Sequence, residues 1–238
     1  MNTKTVFFAQ PIDRAVQTVV RGHRGNKMCL NFTLLHLKND YIIKQVILKI
    51  LPKSMLTVNF EPFPFLTTPR LSLRKITLAD EDAIYALRSD PRVMEYLDRP
   101  RASSVQDARA LIEKINTALN DNDGITWGIC LKGEQELIGT IGFWRMMKEH
   151  YRAEIGYMLH PDYQGKGLMQ EAMTTVIDYG FANMKLHSIE ANVNPANEAS
   201  LKVMAKNKFV QEAWFKENYF YNGRFLDSVI YSLLTPYK

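Results

Sequence analysis

Cysteine is almost missing from this chain: Cys29 and Cys130 are the only two among 238 residues. Two isolated thiols provide neither a disulfide framework nor a thiolate metal cluster. Histidine is nearly as sparse, and His23, His36, His150, His160 and His187 never fall at a His-x-x-x-His spacing. No metal is therefore expected, and His160 and His187 read as strand-end or surface residues. Long apolar runs are missing too, so no membrane-spanning helix is expected. The first residues also lack the compact basic-then-apolar segment and small-residue cleavage site of an export signal. These absences point to a cytoplasmic protein, whose 46% apolar content is enough to bury one substantial core.

Acidic residues are scarce in one part only. Residues 1–54 hold nine Lys and Arg against Asp13 and Asp40, a net of +7, which leaves −2 of the overall +5 to residues 55–238. The basic character belongs to the N-terminal segment and says nothing about the partner of the rest, for which neither nucleic acid nor membrane is expected. Lys and apolar residues interleave in Tyr41-Ile-Ile-Lys-Gln-Val-Ile-Leu-Lys-Ile-Leu, a pattern compatible with a nucleic-acid or membrane-surface arm. The plainer reading places a natural domain start at Met55, in Met-Leu-Thr-Val-Asn-Phe-Glu-Pro-Phe-Pro-Phe. Residues 1–54 are then a basic extension, mis-assigned or disordered, and residues 55–238 a single domain.

From residue 70 sheet and helix patterns alternate. Leu71, Leu73 and Ile76 fit a strand, and Asp80-Glu-Asp opens a helix with Ile84 and Leu87 on one face. Ala108, Leu111, Ile112 and Ile115 recur at helical spacing within about 105–119. Three alternating segments follow, Ile125 to Leu131, Leu137 to Trp144 and Tyr151 to Leu159, the first two joined by a turn at Lys132-Gly-Glu-Gln. Their short connections predict an antiparallel meander. Leu168, Ala172, Val176 and Met169, Met173, Ile177 make two adjacent i,i+4 rows, the broad stripe of a helix packed on a sheet. Ile189, Ala191 and Val193 mark a strand. A helix is expected from Pro195 to about Lys206, with Asn207 as its left-handed cap, and Asn222-Gly223 predicts a hairpin before Ser228 to Leu234. The class is α+β: a mixed, mostly antiparallel sheet with helices on both faces. Its only parallel pair flanks the helix after the glycine turn.

That turn carries the chemistry. Gly165-Lys166-Gly167 lies between an alternating strand and an amphipathic helix, where first-turn N–H groups have no partners and no Cβ blocks approach. An anion fits there. A Walker loop is excluded, because Gly167 rather than Ser or Thr follows Lys166. A dinucleotide fingerprint lacks its third Gly, since that position is Gln170, although Glu190 stands at a distance suited to a ribose carboxylate. A tight turn that binds nothing is the remaining alternative.

The run Gln164 to Met169, with its preceding Glu-Ile-Gly-Tyr strand, resembles the acyl-CoA pyrophosphate loop of the GNAT superfamily of N-acetyltransferases, Gln/Arg-x-x-Gly-x-Gly/Ala. Gln164 and Gly167 match, whereas Met169 departs from the pattern. A second block in the right order, Ile189-Glu-Ala-Asn-Val-Asn-Pro-Ala-Asn-Glu-Ala-Ser-Leu-Lys-Val-Met, resembles the next strand and helix of that family. Asn197-x-x-Ser200 and Thr68-Pro-Arg-Leu-Ser-Leu-Arg are most similar to the branch of ribosomal-protein N-terminal acetyltransferases. The resemblance spans roughly residues 66–236.

It implies acetyl-CoA as cosubstrate and direct attack of a primary amine on the thioester, without a metal. The parallel strands would splay and hold the pantetheine arm along Ile155, Tyr157, Met158 and Leu159, with Asn192 and Asn197 completing the contact. The pyrophosphate would meet Gln164, Gly165, Lys166, Gly167, Leu168 and Met169. Glu154 resembles the family's base, with a solvated strand-face Glu as the alternative. The tyrosine that many members place seven residues after the Asn is Met204 here, so Ser200 becomes the acid candidate; a Ser bonded to the preceding turn's carbonyl is its alternative. The acceptor is a protein N-terminus or a small-molecule amine, the α-amine being favoured because its reference pKa of about 7.7–8.0 leaves far more neutral amine than a lysine at about 10.4. The segment Met146 to Tyr151 and the hairpin Lys216 to Phe225 would border its opening. Met169 and Met204 also motivate an alternative, a degenerate, non-catalytic module that binds CoA or a partner. A homodimer is left open.

Overall fold

The computed structural model describes residues 16–21, 27–32 and 55–237, and the chain divides into two units, Met1–Pro52 and Lys53–Lys238. In the first unit, β1 (Val16–Arg21) and β2 (Lys27–Phe32) pair antiparallel, with Cys29 opposite Val19. The remainder of the basic extension, including the stretch from Tyr41 to Leu51, lies outside the described residues.

The second unit is built on one eight-stranded sheet. Its elements are β3 (Leu66–Thr67), β4 (Leu71–Lys75), α1 (Glu81–Ser89), α2 (Pro91–Met94), α3 (Val105–Asn120), β5 (Ile125–Leu131), β6 (Leu137–Met147), β7 (Arg152–Leu159), α4 (Leu168–Ala182), β8 (Ser188–Val193), α5 (Glu198–Lys206), β9 (Val210–Tyr221) and β10 (Arg224–Leu234). The strand order is β3-β4-β5-β6-β7-β8-β10-β9. The expected meander is present, with Trp127 opposite Ile141 and Phe143 opposite Ile155.

Local chemistry explains the helix boundaries. Before α1, the Asp80 carboxylate accepts from the Thr77 N–H at 2.8 Å and from the Arg74 guanidinium at 2.6 Å, so a buried acid is fully engaged where acids favour a helix start. Ahead of α3, Ser104 and Asp107 cap each other reciprocally. The apolar stripes then decide the layers. Ile84, Leu87, Ala108 and Ile112 of α1 and α3 pack with Ile76 and Leu137 on one face of the sheet. On the other face α4 packs against Trp127, Ile141 and Phe143, close enough that a Cβ added at Gly180 would stand 2.7 Å from Phe143 Cζ.

Three expectations need correction. First, β6 runs to Met147, beyond the expected strand end at Trp144, and Lys148–His150 then forms a 3₁₀ turn. Second, α5 starts at Glu198 rather than Pro195. The Asn194 side chain accepts from the Ala196 N–H at 2.9 Å, and that local bond holds Pro195 in a turn outside the helix. Third, Lys208 (φ 62°) takes the left-handed position expected of Asn207 (φ −90°). The Asn207 amide is held at the helix end by bonds to Gln170 and to the Val203 carbonyl. The next residue therefore turns, and the Phe209 N–H closes the cap on Met204 O at 3.1 Å.

The parallel pair positions the site. β7 and β8 pair only at Arg152 with Ser188, Ala153 with Ile189 and Glu154 with Glu190. Beyond Glu154 they part, and the edge of β7 from Ile155 to Leu159 that faces β8 has no ladder partner there.

Candidate active site

At the end of β7 a short turn, Pro161–Tyr163, leads into the glycine loop. Gly165 and Gly167 adopt φ of 73° and 75°, a left-handed backbone that other residues enter at a cost, and Gly167 is the N-cap of α4. Among the described residues, the backbone N–H groups of Gly165 through Gln170 have no acceptor. They form an arc of donors at the positive end of a 15-residue helix. Leu168 and Met169 contribute backbone only, because both side chains are buried in the core. The thioether of Met169 thus leaves the loop uncrowded. Gln164 donates from Nε2 to Leu159 O at 2.9 Å, tying the loop to β7, while the exposed Lys166 ammonium lies 5.5 Å from the Tyr163 ring centroid.

A brace absent from the sequence-based site surrounds this loop. Arg70 donates from Nη1 to Lys166 O at 2.9 Å and from Nε to Glu171 Oε2 at 2.7 Å. Glu171 also accepts from the Arg70 N–H at 2.9 Å and from the Thr68 hydroxyl. Burial by itself would raise the Glu171 carboxyl, but the bonds from Thr68 and Arg70 outweigh it and hold the group below its ordinary value. Thr68 and Arg70 belong to the Thr68-Pro-Arg start whose likeness to a family was legible. What they touch, a hundred residues away, was not.

At the closed end of the wedge sits Glu154, 6% exposed. Its Oε2 accepts from Arg145 Nη1 at 3.2 Å. Burial pushes the carboxyl above its ordinary value, Arg145 pulls it back in part, and the neighbouring Glu190 adds to the rise. Arg145 itself stands 4.4 Å from the Trp144 ring centroid, and Glu190 is engaged by Arg152 at 2.5 Å. A buried, partly countered carboxylate of this kind is suited to accept a proton.

On the opposite face of β7, Ile155 and Leu159 are core residues and Met158 is half-buried on the Glu154 side. Asn197 is the N-cap of α5, its Oδ1 accepting from the Ser200 N–H at 3.0 Å. Among the described residues the Ser200 hydroxyl makes no bond to the preceding turn. Met204 is wholly buried in the core. Asn192 is exposed on β8, opposite Ile230 of β10. Outside the wedge, Asp98 accepts from the Tyr219 hydroxyl and, at 3.4 Å, from Asn194 Nδ2. That bond joins the loop after α2, the end of β8 and the final hairpin, and burial followed by Asp98 raises the Tyr219 hydroxyl.

These features would suit acetyl-CoA: the open glycine loop, where a Cβ at Gly165 would meet nothing within 4 Å, offers free N–H groups to a pyrophosphate, and the unpaired edge of β7 offers backbone partners to an amide-bearing arm.

Residues 70–210 match the family model described as an acetyltransferase (GNAT) domain. An uncharacterized N-acetyltransferase of Bacillus subtilis (strain 168), YoaA, is 37% identical over 174 residues, covering 73% of this chain and 98% of its own length. The ribosomal protein uS5-alanine N-acetyltransferase of Escherichia coli (strain K12) is 31% identical over 129 residues, 54% of this chain and 66% of the relative. A crystal structure of a GNAT-family acetyltransferase from Bacillus anthracis is 32% identical and superposes with a TM-score of 0.65 over 72% of this chain and 98% of that one. The open glycine loop, the parted parallel strands and these likenesses agree: the chain belongs to the GNAT acetyltransferase family and is an N-acetyltransferase.

Proposed function

We propose that this enzyme transfers the acetyl group of acetyl-CoA to a primary amine, with the α-amino group of a peptide or protein N-terminus as the favoured acceptor and a small-molecule amine as the other. The observation that carries this reading is that β7 and β8 stop pairing at Glu154, so the free strand edge ends on a buried carboxylate. Bound there, acetyl-CoA supplies the activated acyl group. The donor arc from Gly165 to Met169 holds its pyrophosphate, Ile155 to Leu159 and Asn197 hold the arm, and Glu154 takes the proton that the attacking amine must lose, directly or through water. Ser200 provides a proton toward the sulfur. An α-amine suits a carboxylate base because a sizeable fraction is already neutral near pH 7–8, and the Escherichia coli relative is named for an alanine of a ribosomal protein. We place the enzyme in the cytoplasm, in keeping with a relative named for a ribosomal-protein substrate, and a homodimer is compatible with the exposed edge strand β9.

The test is to titrate acetyl-CoA into the full chain by calorimetry and then assay CoA release with short peptides, a polyamine and free amino acids. One-to-one binding followed by faster release with an α-amine peptide supports the reading. Binding without acetyl transfer to any amine overturns the catalytic part.

A further inference from the structure

The surroundings of Glu154 carry more positive charge than its one carboxylate answers. Trp144 stands directly across the ladder from Glu154, and its ring lies over β7, where a Cβ added at Gly156 would come 3.3 Å from the indole Nε1. This face of β7 is turned away from Ile155 and Tyr157, which pack with the main core. Two exposed guanidinium groups stand against the ring, Arg145 at 4.4 Å and Arg99 at 5.7 Å from its centroid. Arg145 gives one bond, to Glu154 at 3.2 Å, and Arg99 gives one, from Nε to Leu97 O. Among the described residues their other N–H groups have no acceptor, and no carboxylate pairs with Arg99. The acids nearby are engaged elsewhere, Glu190 by Arg152 and Asp98 by Tyr219 and Asn194.

Arg145 reaches this place by leaving the regular ladder. Between the pairs Trp144 with Glu154 and Met147 with Arg152, β6 has Arg145 and Met146 where β7 has only Ala153. In a regular strand Arg145 would face away from Trp144. At this bulge its backbone turns left-handed, φ 46°, and its guanidinium comes round to Glu154. A non-glycine residue enters that region at a cost, and such strain gathers at functional sites. Arg99 is placed by another element. Arg88 of α1 donates from Nη2 to Pro100 O at 3.1 Å, and its own carbonyl accepts from the Ala102 N–H at 2.9 Å, which holds the loop after α2 to the helix.

We propose that Arg99 and Arg145 form a carboxylate subsite that selects acceptors with an anionic group beside the amine, either the α-carboxylate of a free amino acid or the acidic first residue of a peptide. This deepens the acetyl-transfer reading above and rests on it. An amine that loses its proton to Glu154 stands beside Arg145, whose Nη1 is 3.2 Å from the same carboxylate. A carboxylate a few bonds from that nitrogen then falls within reach of the planar guanidinium forks. The two cations also disfavour a protonated amine, which favours the neutral, attacking form, and they repel a polyamine. Against the rise that burial imposes, both guanidinium groups pull the Glu154 carboxyl down.

The test compares acceptors that differ in that charge, with the full chain, saturating acetyl-CoA and CoA release as the readout, rates being expressed per neutral amine. One arm sets alanine against alaninamide, and the other sets peptides beginning with Asp, Asn and Lys against one another. In the arm that matches the source, the carboxylate-bearing acceptor should have a kcat/KM about tenfold higher, carried by KM, and added salt should shrink the advantage. Arg99→Glu should reverse the order and Arg99→Gln should bring the ratio toward one, with a thermal melt and the calorimetric affinity for acetyl-CoA as checks on the fold. Rates indifferent to acceptor charge in both arms, a polyamine turned over faster than all of these, or a preference unmoved by Arg99→Glu would overturn the proposal and leave the acetyl-transfer reading standing. Bound acetyl-CoA with no transfer to any amine removes both.

Discussion

Arg70 and Glu171, 101 residues apart in sequence, bond through Nε and Oε2 at 2.7 Å, and the same guanidinium reaches the Lys166 carbonyl at 2.9 Å. One side chain therefore couples the start of β4 to the first turn of α4 and to the loop that precedes it. Arg70 is half exposed, so the ion pair itself contributes only about 0–1 kcal/mol to stability. Arg70→Ala should lower the melting temperature little. Loss of the loop's brace should weaken acetyl-CoA binding by roughly tenfold, equivalent to about 1.4 kcal/mol. Calorimetry beside a thermal melt separates the two effects, and an unchanged affinity would reduce the brace to a surface contact.

Two glycines with similar backbones provide a matched comparison. Gly167 has φ of 75° at the donor arc, and Gly133 has φ of 88° in the turn between β5 and β6. Valine at either position is forced into the left-handed region, at about 1–2 kcal/mol or more for a β-branched residue. Gly167→Val and Gly133→Val should destabilise the protein by similar amounts, but only Gly167→Val should abolish acetyl-CoA binding.

In the proposed mechanism Glu154 is the base and sets the acid limb of the pH profile. Its carboxyl is raised in the folded protein, principally by burial. The stability it contributes is thus complete below the unfolded carboxyl value and is lost as pH rises through the higher folded value. At neutral pH the ionised group is a net cost, and Glu154→Gln should melt at the same or a higher temperature while turnover drops by about 10²–10⁴-fold. Arg145→Ala removes the nearest cation and should move the acid limb of kcat/KM upward. A limb that stays in place would separate Glu154 from the proton transfer.

The Asp98–Tyr219 bond ties the final hairpin to the loop after α2, which the proposed reading places at the acceptor opening. Tyr219→Phe removes a hydrogen bond to a carboxylate, a contact of about 1.5–3 kcal/mol. It should raise KM for the amine roughly tenfold or more by loosening the loop after α2, with acetyl-CoA affinity unchanged. Equal losses for both substrates would make the contact a general stabiliser of the domain.

Much of this was legible before any coordinates. Period-two alternation from Ile125 to Leu159 reported the meander, because the large apolar residues Ile125, Trp127, Ile129, Ile141, Phe143 and Ile155 fall on one parity and join one core cluster. The Gly-Lys-Gly turn reported a loop with exposed N–H groups, because a left-handed backbone there favours glycine and no Cβ covers those groups. Harder to read were features made by side chains distant in sequence. Pro195 was expected to open α5, yet the Asn194 side chain competes for the backbone locally and delays the helix to Glu198. Asn207 was expected to turn left-handed, yet its bonds to Gln170, 37 residues earlier, hold it at the helix end.

The sequence by itself determined the element types, the glycine loop and the family, since these depend on short-range periodicity and on motifs written in consecutive residues. Only the tertiary structure decided where β7 and β8 part, that Glu154 is buried beside Arg145 and Glu190, and that Arg70 braces the loop. The reason is physical: burial and charge pairing depend on which distant segments the sheet brings together, and no local pattern encodes that proximity.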